Sequence, residues 1–136
     1  MVVRPEDRPW VFLVHALGWV PIWGFAFNAA LWLYFRNRSR ELVFHVQQAI
    51  QFHILVLGAM VLWAVCGLFT GIVGRLNIHL GEFLSATNDV LLSVCLTAAA
   101  FVAIVGGGLA YTGRPFLYPI LGRRVLESSI RKYTED

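Results

Sequence analysis

Residues Ser39–Gly74 read "SRELVFHVQQAIQFHILVLGAMVLWAVCGLFTGIVG", and no Asp, Glu, Lys or Arg follows Glu41 until Arg75. The charge-free run contains no proline, so nothing in it breaks a helix. Its first part is nevertheless polar: Phe44–His53 holds two histidines and three glutamines. A helix over all 36 residues would be about 54 Å long at 1.5 Å per residue. The hydrocarbon core of a bilayer is only about 30 Å thick. The economical solution is that Ser39 caps the helix and its first three turns lie at or above the interface. The remainder then crosses, giving a span at about residues 42–74.

Two further stretches lack Asp, Glu, Lys and Arg, Pro9–Phe35 and Val90–Gly113. Each exceeds the roughly 20 residues needed to cross. The chain of 136 residues is 58% hydrophobic and 14% charged, against about 25% charged in an ordinary soluble domain. These features predict a single all-α integral membrane domain with three transmembrane helices, at about 10–35, 42–74 and 90–111. An amphipathic helix at 119–133 is expected to follow. "RNRSR" (36–40) is a stop-transfer flank and no small-x-small cleavage site precedes it, so the first stretch is expected to be retained.

With three crossings, the N-terminal tail (Arg4, Arg8) shares a side with Arg75. The other side takes Arg36, Arg38, Arg40, Arg114, Arg123, Arg124, Arg131 and Lys132. Eight against three predicts the N-terminus outside and the C-terminus in the cytoplasm. The net charge of +3 is therefore a matter of topology, and no nucleic-acid partner is expected.

Several positions read as packing positions. Pro21, flanked by Gly18 and Gly24, predicts a kink or a broken helix in the first span, with Asn28 on the same face. Gly67 and Gly71 stand at the spacing that lets helix backbones approach, and the third span is rich in small residues, among them Gly106. In the tail, Leu126, Ile130 and Tyr133 share one side and Arg124, Glu127 and Arg131 the other. Such a basic amphipathic helix is expected on the membrane surface or against a partner. Cys66 and Cys95 read as small apolar filler.

At 100° per residue, Glu41, His45 and Gln48 share one face of the second helix, with Gln51 and Gln47 beside it and His53 elsewhere. Two readings stay open. His45, Gln48 and Gln51 form a binding site for a quinone headgroup, another cofactor or a partner's backbone, or they are the wet face of an interfacial helix, hydrogen-bonding water, headgroups, the first span, the C-terminal segment or a partner. A bis-histidine haem needs two imidazoles at matching depth on different helices. The predicted topology puts His15 in the outer half of the first span and His45 and His53 on the cytoplasmic side, so no haem is expected from this chain alone. A single histidine on a chlorophyll magnesium, or a site shared with another subunit, stays open. No cofactor, no metal site and no nucleophile or paired carboxylates mark a reaction centre, so no enzyme is expected.

Some of these residues fall into a recognisable order. His15 early in the first span, a basic linker, and Phe44, His45, Gln48, Ala49 and Phe52 resemble the opening of a family of small bacterial membrane proteins. That family is related to the Tic channel component of chloroplasts and includes the magnetosome proteins MamF and MmsF. Ala110, Gly113, Phe116, Tyr118 and Pro119 resemble its closing segment. Asn28 stands near a proline of the family pattern, and Gln47 replaces its lysine. The resemblance implies the helical membrane architecture and a role in assembly, import or organelle biogenesis.

The function expected is a non-enzymatic accessory or scaffold subunit in the bacterial cytoplasmic membrane. It would dock on other membrane protein subunits, or on copies of itself, through small-residue faces and the amphipathic tail. The alternatives are a cofactor-associated subunit contacting quinone, haem or chlorophyll, and an oligomeric translocation component.

Overall fold

The computed structural model describes residues 4–114 and 116–118. Every regular element among them is helical. Four helices follow in order: α1 (Arg8–Ala16), α2 (Pro21–Phe35), α3 (Arg40–Leu76) and α4 (Ile78–Tyr111). Short 3-10 turns precede α1 (Pro5–Asp7) and link α1 to α2 (Leu17–Trp19). The expected amphipathic tail at 119–133, with Arg124 and Arg131, lies outside the described residues.

Helix α3 is one unbroken element of 37 residues. Ser39 is extended (φ −141°, ψ 111°) and its hydroxyl accepts the Leu42 N–H at 3.4 Å, the N-cap the sequence announces. After Leu76 only Asn77 intervenes before α4, and its side chain caps that helix by accepting the Leu80 N–H at 3.1 Å. The expected loop at 75–89 is thus helix almost throughout. α3 and α4 form a long antiparallel hairpin, closest where Gly81 meets the backbone of Gly74. Both are long and apolar enough to cross a membrane, and most of their apolar stretches is not covered by the rest of the chain.

The expected first crossing at 10–35 is not a single helix. Helix α1 ends at Ala16, and Val20 takes φ −110°, ψ 85° before Pro21. A residue preceding proline is driven out of the helical region by the proline ring. Pro21 then starts α2 at the position where its missing N–H costs nothing. The break reverses the chain. Asn28 Nδ2 of α2 donates to Val14 O of α1 at 3.1 Å, so the chain doubles back, with α1 packed on α4 and α2 on α3. The glycines let the tip of the hairpin close onto its neighbours: a Cβ on Gly24 would run into the Leu17 backbone and the His53 ring of α3, and one on Gly18 into Ala103 of α4.

As a result residues 8–35 leave and return at the same end of the molecule. The Ser39 hydroxyl donates to Asp7 Oδ2 at 2.8 Å, and Arg4 sits 3.5 Å from Glu41. The end of α4 is there too. It stops in a Schellman turn, with Gly113 at φ +80° and the Arg114 N–H bonded to Leu109 O at 3.0 Å. The Arg8 guanidinium lies against Gly113. A third crossing is not shown, and the expectation that the N-terminal and C-terminal segments face opposite sides does not describe this structure. Charge counting alone could not see a turn made by Pro21 and two glycines.

Candidate functional site: a buried polar cluster

The two helical hairpins meet over the polar stretch of α3. Two apolar clusters flank it. One holds Val11, Val14, Leu31, Leu42, Val46, Ala49 and Ala110, and the other Phe52, Val56, Ala103 and Tyr118. Between them a set of polar side chains is removed from solvent: His15, Asn28, Gln48 and His53 are 0% exposed and His45 3%. Polar groups buried this deeply are costly unless paired, and their bonds can be followed one by one.

His15 comes from α1, between the half-buried faces of α3 and α4. Its Nε2 lies 3.1 Å from His45 Nδ1, and its Nδ1 lies 3.0 Å from the Tyr118 hydroxyl. The imidazoles meet edge to face, with centroids 5.3 Å apart and planes at 88°. A phenol is protonated at neutral pH and can both donate and accept. The chain of bonds then has two self-consistent arrangements. In one the phenol donates to His15, which donates to His45. In the other, His45 Nδ1–H donates to His15, which donates to the phenol oxygen.

Tyr118 is itself held twice. Its N–H donates to Gln48 Oε1 at 3.2 Å, and its ring stacks on Phe52 at 4.5 Å and 11°. Phe116 lies edge-on to both His15 and Tyr118 and fills the space above Gly106, where a Cβ would collide with its ring. Gly107 opens a similar place for Phe12 and His15. The segment after α4 is thus folded back onto α1 and α3 by a hydrogen bond, a stacked ring and the space left at Gly106.

His53 closes the far end of the cluster. Its Nδ1 lies 2.7 Å from Ala49 O and its Nε2 3.2 Å from Leu17 O, which fixes the tip of the α1–α2 hairpin to α3. A neutral imidazole donates to only one of these carbonyls at a time. Three buried polar atoms make no hydrogen bond among the described residues: Arg8 Nε, Asn28 Oδ1 and Gln48 Nε2.

Of the residues singled out in the sequence, His15, His45 and Gln48 come together here, and Asn28 ties α1 to α2. The expected difference in depth between His15 and His45 is a correction forced by the reversal at Pro21. Gln51 is half-buried beside the cluster. Gly106 packs within the chain, whereas Gly67 has only the Asn88 amide near it, at 3.9 Å, and Gly71 faces open space. The backbone approach expected there is made one turn later by Gly74 with Gly81. The sequence reading missed Tyr118, Phe116 and His53 as partners.

No three His, Cys, Asp or Glu side chains gather at metal-binding distance among the described residues. Cys66 and Cys95 are free thiols. The cluster is therefore suited to holding helices in one arrangement, and offers no nucleophile with a base.

Comparison with curated proteins and with solved structures returns no match. A family's sequence model does match, over residues 6–125. That range contains all four helices and every residue of the cluster, so the chain belongs to the MamF/MmsF family, the magnetosome magnetite crystal formation protein family.

Proposed function

We propose that the protein is a non-enzymatic membrane scaffold of the crystal-forming compartment, docking on and helping to assemble a larger membrane complex. Membership of a magnetosome membrane family involved in magnetite crystal formation supports this reading. The observation that carries it is the outer half of the α3–α4 hairpin. Trp63 Nε1 donates to Asp89 Oδ1 at 3.0 Å, and Asn88 Nδ2 to Trp63 O at 3.1 Å. A carboxylate is expensive at the bilayer centre, so we read the level of Asp89 as a membrane boundary.

Beyond it α3 continues from Trp63 to Leu76, about 20 Å at 1.5 Å per residue. Leu68, Phe69, Ile72, Leu76, Ile78 and Phe83 are exposed there. An apolar surface this continuous outside the bilayer marks a protein-binding site, taken by another membrane subunit or by a second copy of the chain. Purification in mild detergent from the native membrane tests the reading. Stoichiometric recovery of a partner or a homo-oligomer through this surface supports it, and loss of that recovery in Phe69→Glu confirms the route. A chain recovered as a monomer overturns it.

A second reading, a cofactor-associated subunit, is favoured by the unpaired Gln48 Nε2 beside His45. A quinone, haem or chlorophyll touching His45, Gln48 or Gln51 would co-purify, and its absorption bands would shift in Gln48→Leu. An oligomeric translocation role, as in the wider Tic relationship, has no comparable observation behind it. The membrane proposed is the bacterial cytoplasmic membrane or one derived from it.

A further inference from the structure

The molecule has unequal ends. Four helices lie side by side from the level of Ser39 down to His53, where the tip of the α1–α2 hairpin is bonded to α3. Below His53 only α3 and α4 continue. Thirteen residues separate Arg40 from His53, about 20 Å of helix, against a hydrocarbon core of about 30 Å. The hairpin therefore ends about 10 Å short of the opposite side of the core and does not cross it.

Its outer surface is made for lipid. Trp23 at the tip is 76% exposed and Ile22 63%, and Trp10, Phe12, Leu33 and Tyr34 are exposed along its sides. The charges say which leaflet this is. Arg4, Arg8, Arg36, Arg38, Arg40 and Arg114 gather at the four-helix end, and among the described residues Arg75 is the one basic Lys or Arg side chain at the other. Over the same seven arginines the three-crossing topology gives only four against three, and the arginine-rich face is the cytoplasmic one.

We infer that the protein is a membrane wedge: with four helices at the cytoplasmic face and two at the opposite face, it occupies about twice the cross-section at the first that it does at the second. A body that expands one leaflet is accommodated best where that leaflet is on the convex side. The chain therefore favours, and gathers in, membrane that bulges toward the cytoplasm, as in an invagination or a vesicle budded inward. Its partner on this surface is the acyl chains of the cytoplasmic leaflet. The inference rests on the hairpin and the arginines, independently of the docking role proposed above.

Two measurements on the full chain test it, in a background with Cys66→Ala and Cys95→Ala. A membrane-impermeant maleimide should label Glu6→Cys from the cytoplasmic side alone, Glu82→Cys from the outer side alone, and Ile22→Cys from neither. Labelling of Glu6→Cys from the outer side overturns the wedge, because the first segment then crosses. The dye-labelled protein is next reconstituted into phosphatidylethanolamine and phosphatidylglycerol vesicles of about 30 nm and about 400 nm diameter. Molecules with the arginine end outward should be at least about twofold denser per lipid area on the small vesicles, and those inserted the other way should show the reverse order. Equal densities in both orientations overturn the curvature preference, even where the labelling pattern holds.

Discussion

His15 and His45 stand 30 residues apart in sequence, and their ring nitrogens Nε2 and Nδ1 lie 3.1 Å apart in a site with almost no solvent. This pair joins the α1–α2 hairpin to α3. His15 also carries the bond to Tyr118, so one imidazole connects α1, α3 and the segment after α4.

Removing one ring leaves the other buried nitrogen unpaired, which costs about 1–3 kcal/mol. His15→Ala is expected to lower stability by about 2 kcal/mol, measured by reversible denaturation in mixed micelles. The double variant with His45→Ala should lose about 1 kcal/mol less than the sum of the two single changes. Simple additivity would mean that the two rings do not form a bonded pair.

Tyr118 contributes a hydroxyl and a ring, and the two separate cleanly. Tyr118→Phe keeps the stack on Phe52 and loses the bond to His15, an expected loss of about 1 kcal/mol. Tyr118→Ala loses the stack as well and should cost about 3 kcal/mol or more. Protease sensitivity after α4 should rise in the second variant and stay low in the first.

The glycines divide into two kinds. Gly24→Ala would drive a methyl group into the Leu17 backbone and the His53 ring, so the hairpin tip must open. Gly71 meets nothing within 4 Å, and Gly71→Ala should be neutral or stabilising by about 0.5–1 kcal/mol through lower chain entropy. Thermal melting in detergent should separate the two, with the Gly24→Ala variant lost at the lower temperature. Equal melting temperatures would argue against the packing seen at the tip.

Much of this was legible in the sequence. Ser39 announced the start of α3, the absence of charge announced its length, and the polar residues at its entrance announced that something packs there. Pro21 announced a break, because a local steric rule acts on any chain. That the break reverses the chain was not legible. It depends on Gly18 and Gly24 meeting Ala103, Phe52 and His53, which are 28 or more residues away. The same reversal brings His15 to the level of His45, and Arg4 beside Glu41, where the three-crossing reading had set them apart. Tyr118 escaped notice as a partner because nothing local says where a segment beyond a helix end will fold back.

The central claim is that residues 8–35 leave and return at one face of the membrane. Arg4 and Glu41, side by side at 3.5 Å in an ion pair that is half in solvent, report on it directly. Such an exposed pair contributes little stability, about 0–1 kcal/mol, so both can be replaced. Spin labels on Arg4→Cys and Glu41→Cys, in a cysteine-free background and a lipid bilayer, give the distance by pulsed electron paramagnetic resonance. A re-entrant hairpin predicts one distribution below about 25 Å, since the labels sit on the same face of a core about 30 Å thick. A distribution centred beyond about 35 Å would place a full crossing between them and contradict the account.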